Sequence, residues 1–301
     1  MKRILIAGIT GQDGSLLKEF LQKKKFKILG LSRKKNKNKS IIKTNYSFTS
    51  LKKIILLFKP NEIYNLSGLT KPSLSWEYPY ENFYLNFTVT LNFLEVIRKY
   101  SKKTKYFNAG SSEIFENSPK KLHEKSKIFP SNPYGIAKSA SHFLINTYRN
   151  KYKLFLVNGI LFNHESYKNT ESYLLKYLLK SSKKIKENKQ KNIKILDSRP
   201  VRDFGCAKDF VQYFYKLMQL KKSDDFIIAT GKSHSVKNVA KIFQKKFDLK
   251  SKHFKFSNAF DFRMISLHKK ANNQNLIKKL KIRKIKFLPE VIDTLIKDDS
   301  L

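Results

Sequence analysis

Short apolar runs alternate along this chain with longer segments in which apolar residues recur every three or four positions. The first pattern is that of buried strands and the second that of amphipathic helices. Their alternation predicts a parallel sheet covered by helices, a doubly wound α/β fold. Lys2–Ala7 reads as a first strand, and a helix follows from about Gly14 to Lys24 with Leu16, Leu17, Phe20 and Leu21 on one face. Strands at Lys27–Leu31 and Glu62–Leu66 flank a helix at Ser50–Phe58, and a long helix is expected over Asn82–Tyr100. A strand at Lys105–Ala109 runs into Gly110-Ser111-Ser112-Glu113. Pro133–Lys151 reads as a helix with proline near its start, and Leu154–Phe162 as another strand. The pattern then loosens into a polar, basic stretch reaching Asn192. A strand at Ile193–Leu196, a helix near Lys208–Leu220, a strand at Phe226–Ala229 and a helix at Val236–Phe247 precede a mixed ending. No internal repeat is visible, and a domain change is expected near residue 160, with the two parts interleaved.

The chain has 301 residues, 41% hydrophobic and 13% aromatic, enough to bury a core and to exclude a wholly disordered polymer. Its single cysteine, Cys206, excludes an internal disulfide framework and a cysteine-cluster metal site, so no metal is expected. That usage fits a reducing compartment, and the chain is read as cytoplasmic. No apolar run is long enough to span a membrane, and the short N-terminal run reads as a strand rather than a signal peptide. Lysine plus arginine total 63 against 23 acidic residues, a net charge of +40. Fifty-five of those cations are lysines spread over the whole chain, with only eight arginines. Dedicated phosphate and base readers favour the arginine fork, so the diffuse pattern is read as a compositional bias that suits anionic ligands, and nucleic-acid binding is disfavoured. Runs such as Lys34 to Lys39 and Lys183 to Lys191 are expected to be solvated.

Three of only ten glycines fall at Gly8, Gly11 and Gly14, between the first strand and the first helix. Glycines there allow a tight turn and let backbone N–H groups approach a pyrophosphate at the helix N-terminus. The spacing in that context predicts a dinucleotide site. The second strand ends in Ser32-Arg33-Lys34-Lys35, where an NAD enzyme usually carries an acid for the ribose hydroxyl. Cations suit a 2′-phosphate, so NADP is expected, with NAD as the alternative should Arg33 and Lys34 merely belong to the basic background.

Tyr134 and Lys138 are four residues apart on a helix and share a face. An ammonium beside a phenol stabilises phenolate, and such a tyrosine can take a proton from a hydroxyl while hydride leaves the same carbon. Ser111, at a strand end, can orient that hydroxyl. Glu113 follows one residue after Ser112 and could remove a proton next to a new ketone, the step that separates an elimination from a simple oxidation. Its alternative is an exposed or helix-capping glutamate.

Together these residues resemble the extended short-chain dehydrogenase/reductase superfamily and, within it, the GDP-mannose 4,6-dehydratases. Gly8-Ile9-Thr10-Gly11-Gln12-Asp13-Gly14-Ser15 is similar to that family's cofactor loop, and Pro60 to Leu66 to its fourth-strand segment. Ala109 to Glu113 and Ser131 to Lys138 match the segments that carry its hydroxyl, glutamate, tyrosine and lysine. Asn158-Gly159-Ile160-Leu161-Phe162-Asn163-His164-Glu165-Ser166 is the most family-specific run, and Arg202-Asp203-Phe204-Gly205 resembles a nucleotide-side motif. The likeness is dense to about residue 166 and fades after about 245.

The resemblance implies a Rossmann-like dinucleotide-binding domain over residues 1–160 and a smaller sugar-nucleotide-binding lobe over 161–301. It implies Ser111, Glu113, Tyr134 and Lys138 as catalytic, and Gly8, Thr10, Gly11, Gln12, Asp13, Gly14, Arg33, Lys34, Leu66, Lys138 and His164 at the cofactor. Ser112, Asn163, Arg202 and Arg263 would meet the GDP-linked hexose. The implied reaction oxidises C4, eliminates water across C5 and C6, and returns the hydride to C6. A homodimer or homotetramer is implied as well. The chain departs from the family at Asn169, where an arginine is expected at the cofactor phosphate, at Thr44 to Ser47, which lack an acid near the adenine, and at Gly68 to Thr70. A sugar-nucleotide reductase or epimerase of the same fold is the alternative function, and a non-catalytic nucleotide- or polyanion-binding protein the most distant one.

Overall fold

The computed structural model describes residues 1–257 and 267–300. Seven parallel strands form the central sheet: β1 (Arg3–Ala7), β2 (Lys27–Ser32), β3 (Ile41–Lys43), β4 (Glu62–Asn65), β5 (Lys105–Ala109), β6 (Leu156–Leu161) and β7 (Asp225–Ile228). Their spatial order is β7-β6-β5-β4-β1-β2-β3. The order reverses between β1 and β4, and in doubly wound sheets ligands bind beyond the carboxyl ends of the strands at that point. Both faces of the sheet are covered, so β4 and β6 are buried along their whole length, including the polar Glu62, Asn65 and Asn158. Ile4 and Ile6 of β1 enter the core on one face with Leu16, Leu17, Phe107 and Phe214. Leu5 and Ala7 enter the core on the other face with Ile55, Phe93, Tyr106 and Ile145. That split is the two-residue period of a strand serving two layers.

Five helices matter for the site: α1 (Gln12–Gln22), α2 (Phe48–Phe58), α3 (Val89–Tyr100), α4 (Pro133–Tyr152) and α5 (Ala207–Met218). α5 packs on the same core as α1, and β7 pairs with β6, so the chain returns to the first sheet well beyond residue 160. A second lobe has its own core of Leu175, Leu179, Ile195, Val239, Phe243 and Ile292. It holds the strand Val201–Cys206, which runs parallel to Asn163–Glu165 and antiparallel to Ser233–Ser235. Among the described residues no helix is long and apolar enough to cross a membrane.

Two expectations are corrected. The helix expected over Asn82–Tyr100 is broken into Pro79–Phe83, a π-turn at Tyr84–Thr88 and α3. The wide turn frees the Asn86 carbonyl, which accepts from Ser141 Oγ at 2.6 Å. Asn86 Nδ2 donates to Leu69 O at 3.1 Å and to Asn82 Oδ1 at 2.7 Å, and these buried polar contacts outweigh regular helix. The basic stretch before Asn192 contains a 13-residue helix, Leu174–Lys186. Its buried Leu175, Leu178, Leu179 and Ile185 form an inward stripe that the intervening lysines mask in the sequence.

The first glycine turn is set by contact rather than by conformation alone. Gly8 adopts φ +75°, and a Cβ on Gly14 would stand 2.2 Å from the Gly8 carbonyl oxygen. Gly14→Ala is expected to push α1 off β1 and lower stability by ~1–3 kcal/mol, read by urea denaturation. An unchanged midpoint would show that α1 can slide without cost.

Candidate active site at the ends of the central strands

β5 ends under a glycine for a steric reason: a Cβ on Gly110 would come within 2.9 Å of Asn158 Oδ1 and the Gly159 carbonyl. The chain then turns through the short helix Ser112–Ile114, capped by Ser111, whose Oγ accepts from the Glu113 N–H at 3.2 Å. Ser111 and Ser112 are buried and Glu113 is half-buried. Asn132 caps α4, accepting from the Gly135 N–H at 2.8 Å, and its Nδ2 donates to Glu113 Oε2 at 3.3 Å. Gly135 lets the first turn of α4 lie on the Glu113 carbonyl, since a Cβ there would sit 2.6 Å from that oxygen.

This packing brings the expected side chains together. Tyr134 is buried. Burial drives that phenol's pKa well above the usual value; the Ser111 side chain opposes the rise, and the Glu113 charge adds to it. Lys138, one turn further along α4, donates from Nζ to the Ala109 carbonyl at 2.7 Å and stands 5.7 Å from the Tyr134 ring centroid. Burial pushes its ammonium down to about 8. In the chain alone, burial thus disfavours the charged forms of both the phenol and the ammonium.

The glycine loop lies at the ends of β1 and β4. Thr10 and Gly11 are exposed and Leu66 is half-buried, its N–H bonded to the Ala7 carbonyl at 3.1 Å. Gln12 and Asp13 reach across to the second lobe. Gln12 Nε2 donates to the His164 carbonyl at 3.3 Å, and Ser166 Oγ donates to Gln12 Oε1 at 2.9 Å. His164 Nε2 lies 2.9 Å from Asp13 Oδ2, and its Nδ1 lies 2.7 Å from the Phe162 carbonyl. Two acceptors on one imidazole favour its doubly protonated form. At the end of β2, Arg33 forms an ion pair with Glu81, and Lys34 is exposed.

Asn163 is exposed on the strand that pairs with Val201–Cys206. Arg202 is buried, donating from Nη1 to the Val201 and Leu267 carbonyls at 3.0 Å each. Burial lowers its pKa, and the Glu113 charge opposes that shift. Arg263 lies outside the described residues. Sequence reasoning missed Asn132, although an asparagine directly before Pro133 is an N-cap signal. It also missed Thr70 and Tyr173, whose hydroxyls meet at 2.6 Å, and the buried Lys269, for which the sequence carries no signal. Among the described residues no cluster of three or more histidine, cysteine or acidic side chains could hold a metal ion.

The Asp13–His164 pair makes stability depend on pH. Burial alone would lower the His164 pKa, but the Asp13 charge and hydrogen bonds carry it above 6.5. Burial alone would raise Asp13, but His164 and Gln12 hold it below 3.8. The histidine's contribution is complete below 6.5 and is lost as pH rises through its folded value; the aspartate's is complete above 3.8 and is lost as pH falls through its folded value. His164→Gln is expected to cost ~1–3 kcal/mol in that window, with the gap to the parent closing on either side. Denaturant titrations at several pH values check this, and a gap independent of pH would refute it.

The sequence pattern of the GDP-mannose 4,6 dehydratase family matches residues 5–298. GDP-mannose 4,6 dehydratase 1 of Arabidopsis thaliana is 34% identical over 260 residues, which cover 78% of this chain and 72% of that protein. UDP-glucose 4-epimerase of Thermus thermophilus, solved with NAD, superposes with a TM-score of 0.86 at 16% identity over 99% of each chain. RMD of Pseudomonas aeruginosa, solved with NADPH, superposes at 0.84 and 15% identity, covering 100% of this chain and 99% of that one. These two solved structures share the fold, and the sequence match is more specific. The chain belongs to the GDP-mannose 4,6-dehydratase family.

Proposed function

We propose that the protein converts GDP-mannose to GDP-4-keto-6-deoxymannose by loss of water. The observation that carries this reading is the carboxylate of Glu113, held by Asn132 in the same cluster as Ser111 and Tyr134. A reductase or epimerase needs one hydroxyl proton moved, whereas an elimination needs a second base. The family membership supplies the substrate in this reading.

The residues present fit a nicotinamide dinucleotide. Gly8 and Gly14 leave no room for side chains, and α1 presents its N-terminus behind the loop. Gly8, Gly11, Gly14, Thr10, Gln12, Asp13, Leu66, Lys138 and His164 would border it. When bound, that group supplies a hydride acceptor for C4 and a hydride donor for C6. Tyr134 takes the proton of the C4 hydroxyl, which Ser111 orients. Lys138, anchored on the Ala109 carbonyl, supplies positive charge beside the phenolate as it forms. The 4-ketone acidifies the neighbouring C–H, and Glu113 takes the C5 proton and passes it to the departing C6 hydroxyl. Tyr134 returns its own proton to C5 as C6 is reduced, so the net change is the loss of one water. Arg202 and Asn163 with Ser112 hold the sugar nucleotide in this reading.

The cationic end of β2 supports NADP over NAD, with Lys34 free to move toward a 2′-phosphate and Arg33 reaching it once released from Glu81. Titration of both oxidised cofactors is expected to give tighter NADP⁺ binding, weakened in Arg33→Ala. Tighter binding of NAD⁺ would reject the preference. The activity itself is tested with purified protein, GDP-mannose and NADP⁺, following product by mass. Glu113→Gln is expected to reduce water loss by ~10²–10⁴-fold with cofactor binding intact. Undiminished product from that variant would remove Glu113 from the mechanism.

A further inference from the structure

Lys269 has no part in the chemistry proposed above, and it is fully buried. Its Nζ donates to the carbonyls of Phe115 and Glu116, the residues that leave the Glu113 turn. Burial pushes the ammonium down to about 8; Glu113 draws it up, Arg202 pushes it down, and Glu116 draws it up again. Burying an amine is costly even when it is hydrogen-bonded, and an apolar chain of similar length would fill the same space without that penalty. The residue therefore does more than pack.

The segment around it is a strap between two parts of the site. The Val201 N–H donates to the Leu267 carbonyl at 2.8 Å, and the Lys269 N–H donates to the Val201 carbonyl at 3.0 Å. These bonds tie the strap to the strand carrying Arg202. On its other side the His268 N–H donates to Asn117 Oδ1 at 2.8 Å, and Lys270–Ala271 pairs with Lys121–Leu122. Lys269 is the side chain that crosses from the strap to the Glu113 turn itself.

We propose that Lys269 is a positioning residue that fixes the Glu113 turn against the Arg202 strand. This rests on the assignment of Glu113 as the second base. By clamping the carbonyls of residues 115 and 116, the amine sets where the carboxylate stands relative to Tyr134 and Arg202. A loosened turn displaces the base by a fraction of the distance over which proton transfer is efficient.

The test is Lys269→Met in the full chain, with two readouts. Turnover of GDP-mannose is expected to fall ~10- to 100-fold in kcat, the scale of a 1 Å misplacement, with KM changing less than kcat. Amide hydrogen exchange at Ile114, Phe115 and Glu116 is expected to speed up by on the order of tenfold, while β5 amides keep their protection. If the methionine variant does not fold, Lys269→Gln is read in the same way. Unchanged exchange at 114–116 overturns the proposal whatever the turnover. Faster exchange with unchanged kcat overturns it too, because the hold would then be structural only. A parent protein that removes no water from GDP-mannose defeats the functional reading instead, and the exchange pattern still decides whether Lys269 holds the turn.

Discussion

The seat of α4 on the turn after β5 is the contact on which the site depends. Gly135 allows the helix to touch the Glu113 carbonyl, and Asn132 spends one side chain on both the helix cap and the Glu113 carboxylate. Lys138 then reaches back to the Ala109 carbonyl, so one helix is tied to the strand at two levels. Further along, Arg149 pairs with Asp225 of β7 at 2.7 Å, which fixes the helix across the sheet. The geometry of four side chains thus follows from one helix–strand packing, and any side chain at residue 135 would have to separate the phenol from the carboxylate.

Charge is managed by the same means. The chain carries +40, yet lysines enter the interior only where oxygen atoms await them. Lys138 meets the Ala109 carbonyl, Lys269 two carbonyls of the Glu113 turn, and Lys176 the Tyr167 carbonyl and Asp299. Asp299 also draws Lys180 and Lys183, which pins the C-terminal helix to Leu174–Lys186. The few acids therefore sit at junctions between elements: Asp13 with His164 across the lobes, Asp225 with Arg149, and Asp299 among three lysines. Most of the remaining lysines are exposed.

The sequence was legible where burial is two-sided or where backbone geometry demands glycine. β1, β5 and the first glycine turn stand where periodicity and spacing put them, because the middle of each strand is buried on both faces. The placement of Ser111, Tyr134 and Lys138 was legible for the same reason: they lie on or directly after elements whose register the pattern fixes. Illegible were features set by distant polar contacts. The π-turn at Tyr84–Thr88 depends on Leu69 and Ser141, far along the chain, and no local pattern announces it. The helix Leu174–Lys186 was hidden by its own lysines, and the strap around Lys269 gains meaning only from the carbonyls it meets.

The surroundings of Tyr134 and Lys138 set what the chain can do before anything binds. Tyr134 is buried beside the negative charges of Glu113 and Asp13, so its neutral form is strongly favoured in the chain alone. Lys138 is buried without an acidic partner, so its ammonium is weakened as well. Desolvation disfavours both charged forms at once, and the pair stores no ready base. Positive charge placed next to the phenol would favour its ionised form, and an oxidised nicotinamide bound there would supply such charge. The Glu113 carboxylate is instead held by a neutral donor, Asn132 Nδ2, at 3.3 Å. The chain by itself therefore favours the neutral phenol, and the charge that would draw off its proton has to come with what binds there.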